Sequence, residues 1–522
     1  MHSLALVAVL ALSQPAPDLR TVAERSDWKK TARHAEVVAL LDALAASDPR
    51  ATRVSLGTTT EGRDLPVLVL ADPPVANAAE ARRLATDEGR VIVLVIGNIH
   101  AGEVCGKEAL PILARELLAD PASPVLRRAV IAFAPIYNAD GNERMDPGNR
   151  PGQNGPDEMG VRHNAMDLDL NRDFVKLEAP ETAGLVRFLN EWDPHLFIDT
   201  HTTNGSFHRF TISYAGAKCL TGDLGVREFT RDAFLPGLAA RYEAISGEKT
   251  FYYGSFGGGV FSENPADKST WGTFPAEARF GTTYVGLRGR LSLLSEAYTY
   301  APYKDRVLRT RDMVAAALDW AVANAESVRR VTARADAEAV ARQPAEVVIR
   351  SKLVACPGTH TILGFEEVIV DGKRVNTGRP KDYPVTLMDC FEPEITVTRP
   401  RAYVLPRDPR LEPVIAKLRQ HGIIVGDEVT GGPMAVEAYT LTRATPASRA
   451  FQGHVLVRAA VRADPATIDV PAGSWMVRTD QPLGNLAVYL LEPECEDGLT
   501  TWNFFDAWMK EGERFPAYRV MP

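Results

Sequence analysis

At 522 residues the chain exceeds one ordinary domain and suggests two or three. With 45% hydrophobic and 24% charged residues it reads as globular, which excludes a disordered or low-complexity protein. A net charge of -8, with no Lys/Arg block to track phosphates, argues against a nucleic-acid partner.

The first element in chain order is an apolar stretch at 4–12, within MHSLALVAVLALSQPAP. It is too short to span a bilayer but suits the core of a signal peptide, with Ala11-Leu12-Ser13 as a small-residue cleavage context. No lysine or arginine precedes it. Residues 1–20 are assigned on this basis to a signal peptide, and a secreted or periplasmic location follows. No later stretch approaches the length of a transmembrane helix. The five cysteines (105, 219, 356, 390 and 495) do not make a disulfide scaffold, although Cys356 and Cys390 bracket one strand-rich segment and could pair. Cys105 reads as a small buried residue.

A helix-like pattern over 27–47 is followed by a strand at 67–70 and by the apolar run 91–96. That run ends in a Gly-Asn loop bearing His100 and Glu103. The next segment is again helix-like, and Pro111 should either kink it or begin a second helix. A strand over 130–135 ends in turn chemistry at 137–141, and the Gly-, Pro-, Asn- and Asp-rich stretch 145–160 should be a surface loop near the site. An amphipathic helix over 182–192 is broken by Pro194 before the strand 196–198, which leads through Asp199-Thr200 to His201. Aromatics interleave with glycine over 251–281, a composition that can wall a substrate pocket. The run 291–295 then ends at Glu296, and a helical stretch over 307–343 closes this half at Gln343-Pro344.

Beyond that boundary come strands at 346–355 and 366–370 with an Asp371-Gly372 hairpin turn. A strand-helix-strand unit comes next (403–405, 411–420, 423–425), then strands at 455–457 and 486–491. The alternation of strand and helix in the first half predicts an α/β fold on a doubly wound mixed sheet. The second half reads as a β-rich α+β accessory region with no chemical constellation of its own. The domains expected are therefore 21–343 (catalytic) and 344–522 (accessory).

His100, Glu103, His201 and Glu296 all come after strand-like runs, and an open α/β sheet binds its ligands beyond the carboxyl ends of its strands. Zinc accepts imidazole nitrogen and carboxylate oxygen in tetrahedral geometry. Two histidines and one glutamate would leave a fourth position for water, as catalytic rather than structural zinc requires.

Between these strands lies RHNAMDLDLNRDF, residues 162–174. With it, the ordered set His100/Glu103, Asn171/Arg172, His201 and Glu296 resembles the zinc carboxypeptidases of the carboxypeptidase A superfamily over roughly 25–325. The resemblance implies one zinc per chain on His100, Glu103 and His201, with Glu296 as general base and acid. It implies that Asn171 and Arg172 grip the terminal carboxylate of a peptide or peptide-like substrate, a task suited to the planar donor fork of arginine. It further implies an oxyanion-stabilising arginine, assigned to Arg162 with Arg150 and Arg144 as rivals. A tyrosine closing over substrate is assigned to Tyr284, with Tyr252 and Tyr253 as rivals. Asp199 and Asp173 are the expected acceptors from the ligand imidazoles. Two other readings stand beside carboxypeptidase action: a zinc amidohydrolase, deacylase or cell-wall peptide amidase on the same fold, and a non-catalytic protein that binds peptide C-termini.

Overall fold

The computed structural model of the protein describes residues 17–259, 266–426 and 429–522. The signal-peptide core expected at 4–12 and its cleavage context lie outside the described residues. In chain order the strands of the first half are β1 (Ala51–Thr58), β2 (Asp64–Leu70), β3 (Val91–Gly97), β4 (Ala129–Ala134), β5 (Leu196–Thr203), β6 (Ile212–Ala215), β7 (Phe251–Tyr252), β8 (Ser255–Phe256), β9 (Thr270–Gly272) and β10 (Leu291–Tyr298).

Eight of these form one sheet in the order β1-β2-β4-β3-β5-β10-β6-β7. Its centre, β4-β3-β5-β10, is parallel, whereas β1, β2 and β6 join antiparallel. Every residue of the four central strands is buried. Both faces are thus covered, which is why these strands read as nearly continuous apolar runs. The mixed α/β sheet agrees with the expected fold class. Polar side chains enter at the carboxyl ends of β5 and β10, where Asp199, His201 and Glu296 lie.

The second half continues with β11 (Glu346–Val354), β12 (His360–Val370), β13 (Lys373–Met388), β14 (Cys390–Thr398), β15 (Ala402–Leu405), β16 (Gly432–Pro446), β17 (Val457–Val470), β18 (Trp475–Arg478) and β19 (Tyr518–Val520). Five of them form a sheet in the order β17-β16-β19-β15-β18. The β12–β13 hairpin turns at Asp371-Gly372, both at positive φ (52° and 73°), as a tight hairpin turn requires. Cys356 and Cys390 form a disulfide, while Cys105, Cys219 and Cys495 are free and buried.

Several elements depart from the sequence expectation. Pro111 neither breaks nor restarts a helix: Cys105–Ala119 is continuous around it. The run 486–491, expected as a strand, is the buried helix Gly484–Leu491. An unbroken apolar hexamer has no periodicity to separate the two states. Residues 423–425 form no strand, because the Gln481 side chain occupies both backbone groups of Ile424, accepting from its N–H at 2.7 Å and donating to its carbonyl at 3.1 Å. The helix expected over 307–343 is two, Tyr303–Ala323 and Ala325–Val340, separated at Asn324.

The aromatic segment is more than a loop. β8 and β9 join β13 and β12 in a four-stranded sheet that crosses the expected boundary at 343. Phe256 and Trp271 pack there with Ile362, Tyr383 and Leu387. The main core is likewise shared: Phe174 and Tyr284 belong to the same buried cluster as Trp475, Tyr489 and Trp502.

Candidate metal centre and active site

The parallel register of the central strands sets the site. Ile96 pairs with Asp199, Gly97 with Thr200, and Glu296 with His201 across β10 and β5. Immediately after β3, Asn98 turns the chain at φ 66°, a left-handed conformation that asparagine tolerates, and its amide donates to the Ala101 carbonyl at 3.0 Å. The helix beginning at Cys105 then approaches β5 so closely that a Cβ on Gly106 would lie 1.8 Å from Thr200 Oγ1. Glycine at 106 therefore lets Glu103 reach His201.

The two imidazoles converge on one carboxylate. His100 Nδ1 lies 3.0 Å from Glu103 Oε1, and His201 Nδ1 lies 2.9 Å from Glu103 Oε2. Their other nitrogens face carboxylates too: His100 Nε2 is 3.0 Å from Asp169 Oδ1, and His201 Nε2 is 2.8 Å from Asp199 Oδ2. All three candidate ligands are buried, and one donor atom from each lies within 4.8 Å of the others.

These residues fit a divalent metal for a stated reason. A neutral imidazole that donates from Nε2 to aspartate presents a bare lone pair at Nδ1. Two such lone pairs aimed at a third residue's carboxylate repel it unless a cation or protons lie between them. At His201 burial works against charge, yet Asp199 and Glu103 outweigh it and raise its pKa well above the usual range, which favours a proton there when no metal is bound. Burial likewise opposes ionisation of Glu103, but His100 and Arg150 hold its carboxyl well below the usual carboxylate range. Carboxylate–histidine pairs of this kind orient metal ligands and fix their tautomer.

Glu296 stands beside this group, buried, with Oε2 lacking a hydrogen-bond partner among the described residues. Burial pushes its carboxyl up to about 8, Glu103 and Asp199 adding to the rise while His201 and Arg162 oppose it. A cavity of about 490 Å³ opens over His100, Glu103, His201 and Glu296. Arg150, Arg162, Asn171, Arg172 and Tyr253 also line it, with Phe274, Phe280 and Leu294 forming an apolar wall.

Most residues expected from sequence meet in this cavity, but Tyr284 and Asp173 do not take the places expected of them. Tyr284 is fully buried elsewhere, its hydroxyl held by His421 Nδ1 at 2.8 Å and by Arg288 at 3.2 Å, so it cannot close over substrate. Tyr253 occupies the cavity instead, its hydroxyl accepting from Thr203 Oγ1 at 3.5 Å. Asp173 faces no imidazole. It accepts from Lys176 Nζ at 2.6 Å and from the backbone of Glu178 and Ala179, a purely local bracing role.

Asp169, which sequence reasoning passed over, takes the place expected of Asp173. Its Oδ1 faces His100 and accepts the Asn171 N–H at 2.9 Å, while Oδ2 accepts from Arg162 Nε at 2.9 Å. The signal was an aspartate two residues before Asn171, at the N-cap of the short turn Leu170–Arg172. Among the arginines, Arg144 pairs with exposed Glu61 away from the cavity, whereas Arg150 and Arg162 both reach toward Glu103. Asn171 Oδ1 accepts from Gly281 N–H at 2.9 Å, and the Arg172 guanidinium lies 4.4 Å from the Phe280 ring.

A mixed sheet with a two-histidine, one-carboxylate cluster and an adjacent unpartnered glutamate defines the class of a metal-dependent hydrolase. Residues 37–216 match the zinc carboxypeptidase family. Carboxypeptidase 2 of Trichophyton rubrum is 23% identical over 477 residues, covering 88% of this chain and 81% of that one. Carboxypeptidase D of Mus musculus is 36% identical over 148 residues, 26% of this chain and 11% of that one. Among solved structures, carboxypeptidase A from Helicoverpa armigera aligns with a TM-score of 0.41 at 16% identity, covering 57% of this chain and 75% of that one. A metallo-carboxypeptidase from Burkholderia cenocepacia aligns at 0.39 and 19% identity, covering 55% and 68%.

Proposed function

We propose that the protein is a zinc-dependent carboxypeptidase that hydrolyses the amide bond next to a free C-terminal carboxylate. The observation that carries this reading is the convergence of both Nδ1 atoms on Glu103 beside the free carboxylate oxygen of Glu296. His100, Glu103 and His201 would hold one zinc, which when bound supplies Lewis acidity toward a carbonyl and toward water. Asp169 and Asp199 hold the two imidazoles in the tautomer that leaves Nδ1 free. Glu296 takes the proton of the attacking water and returns it to the leaving amine. Arg162, facing the cavity, stabilises negative charge as it develops on the carbonyl oxygen, and Tyr253 closes over the bound peptide. Residues 21–343 carry the catalytic side chains in this reading, and 344–522 form the accessory region.

Arg172, with Asn171, anchors the terminal carboxylate. A hydrogen bond to a charged group contributes about 1.5–3 kcal/mol, so Arg172→Ala is expected to lower kcat/KM by roughly one to two powers of ten on free C-termini. Amidated peptides should lose little. Assays with matched free, amidated and D-configured C-termini, with metal content measured alongside, test both points. Equal losses on free and amidated substrates would reject carboxypeptidase action in favour of an amidase indifferent to the terminus.

The cavity also predicts side-chain preference. Phe274, Phe280 and Leu294 pack together, Phe280 against Arg172, and the cavity's carboxylates, Glu103 and Glu296, both belong to the reacting centre. No acid is left to receive a basic side chain among the described lining residues. Peptides ending in Phe or Leu are expected to exceed those ending in Lys or Arg by roughly 10-fold or more in kcat/KM. A preference for basic termini would refute this placement of the apolar wall.

Export is proposed from the apolar run at 4–12. Among the described residues no helix is long and apolar enough to cross a membrane. N-terminal sequencing of protein recovered outside the cytoplasm should find a start near Gln14, and an intact cytosolic Met1 form would refute it.

A further inference from the structure

Asp169 joins three parts of the site at once. Its carboxylate faces His100 Nε2, accepts from Arg162, and caps the turn that carries Asn171 and Arg172. A displacement of Asp169 therefore moves a candidate ligand, the candidate oxyanion arginine and the carboxylate anchor together. Its backbone is fixed from far along the chain: the Asp169 N–H donates to Gln452 Oε1 at 2.7 Å. The donor is a backbone amide, so the side-chain oxygen, not the nitrogen, must face it.

Gln452 is held where it can make this contact. It sits at φ 52°, a left-handed conformation unfavourable for a non-glycine residue, which persists only where surrounding contacts enforce it. Phe451 and His454 close the turn around it by reciprocal backbone bonds of 2.7 and 3.0 Å. His454 then ties the turn to both halves of the chain, with Nε2 2.9 Å from Glu178 Oε1 and Nδ1 3.1 Å from Asn503 Oδ1.

A second support reaches the anchor through Phe280 and Gly281. The Arg279 guanidinium lies near the Phe451 and Trp502 rings, at 5.4 and 4.9 Å, and pairs with Asp497 at 2.7 Å. The Arg279 N–H also donates to Asp497, at 2.6 Å. The chain then runs directly into Phe280, which packs on Arg172, and Gly281, which donates to Asn171.

We infer that the region after residue 343 is a working part of the catalytic unit, with Gln452 as a positioning residue that holds Asp169, and through it His100, in register for metal and substrate. This rests on the reading of His100 as a metal ligand. It assigns the accessory region a task that its sequence, lacking any chemical motif, did not suggest.

The test uses the full-length protein. Gln452→Met keeps the side-chain length but removes the acceptor, whereas Gln452→Glu retains an acceptor oxygen. Loss of a group that orients a metal ligand typically weakens metal affinity 10–100-fold, so Gln452→Met is expected near the lower end, roughly 10-fold, in a chelator-competition titration with zinc. Its kcat should fall more than its KM changes, its thermal unfolding should stay close to wild type, and Gln452→Glu should recover most of the affinity. Zinc affinity of folded Gln452→Met within about twofold of wild type would overturn the inference. If Gln452→Met does not fold, amide hydrogen exchange on wild type decides: the Asp169 N–H should be strongly protected, and rapid exchange would overturn the proposal. Failure of wild type to bind zinc would instead overturn the metal-site reading itself, so the two failures are distinguishable.

Discussion

Glu296→Gln is expected to lower turnover by roughly 10²–10⁴-fold, the usual contribution of a general base. Glutamine keeps the size of the side chain and fits the same buried space, but it cannot accept the proton of water. Zinc content should be unchanged, because the candidate ligand atoms are those of His100, Glu103 and His201. Stability should move in the opposite direction from activity. Burial, aided by Glu103 and Asp199, raises the Glu296 carboxyl from its ordinary value near 4.5 to about 8 in the metal-free protein. A group with a raised folded-state pKa takes up a proton on folding, so wild-type stability declines as pH rises through the interval from about 4.5 to 8. The glutamine variant lacks that decline. Metal-free Glu296→Gln should therefore unfold at a higher temperature than metal-free wild type, by a margin that widens with pH across this interval. Undiminished turnover in the variant would remove Glu296 from the mechanism, and a margin that narrows with pH would contradict its environment.

How much of this site was legible in the sequence depended on the kind of signal each residue carried. His100, Glu103, His201 and Glu296 stand after apolar runs, and the sheet gathers the residues at the carboxyl ends of its central strands, so their meeting could be anticipated from pattern alone. Asn171 and Arg172 came from the ordered resemblance. Tyr284 lies outside the cavity because position before Glu296 says nothing of direction: it lies on the helix Gly281–Leu287 and points into the core toward His421. Tyr253 entered the cavity from between β7, which pairs with β6, and β8, whose partner β9 pairs in turn with β13, long-range contacts that no local pattern encodes. Asp173 and Asp169 stand equally close to Asn171-Arg172, and only the geometry of the turn shows which one faces an imidazole.

The same limit applies to the second half of the chain. Of the strands there, β11, the end of β12 and β15 were legible, whereas β13, β14, β16, β18 and β19 were not, and the strand expected at 455–457 begins only at Val457. The helix Gly484–Leu491 has no periodicity to reveal it, and its burial is what makes it apolar throughout. The boundary expected at 343 is crossed by a sheet and by a shared core. Local pattern finds elements, whereas Gln452 reaching the Asp169 amide is a property of the assembled fold.

Removing the metal should abolish activity outright, and removing His201 should do more than that. Treating wild type with a strong chelator is expected to yield an inactive but folded protein that recovers fully on addition of one equivalent of zinc. The fold should survive because a proton can replace the cation at His201, whose pKa Asp199 and Glu103 raise well above the usual range. His201→Ala takes away one of three candidate ligands and also the partner of both carboxylates. Asp199 is fully buried, with Oδ1 already lacking a hydrogen-bond partner among the described residues, and its Oδ2 contact is with His201. Breaking a buried charged pair from one side typically costs about 3–5 kcal/mol, so this variant should be markedly less stable as well as unable to retain zinc. The double change His201→Ala with Asp199→Asn relieves the stranded charge, and it should regain much of the lost stability while regaining neither zinc nor activity. Stoichiometric zinc in folded His201→Ala, or activity in chelated wild type, would show that the reaction does not run through this cluster.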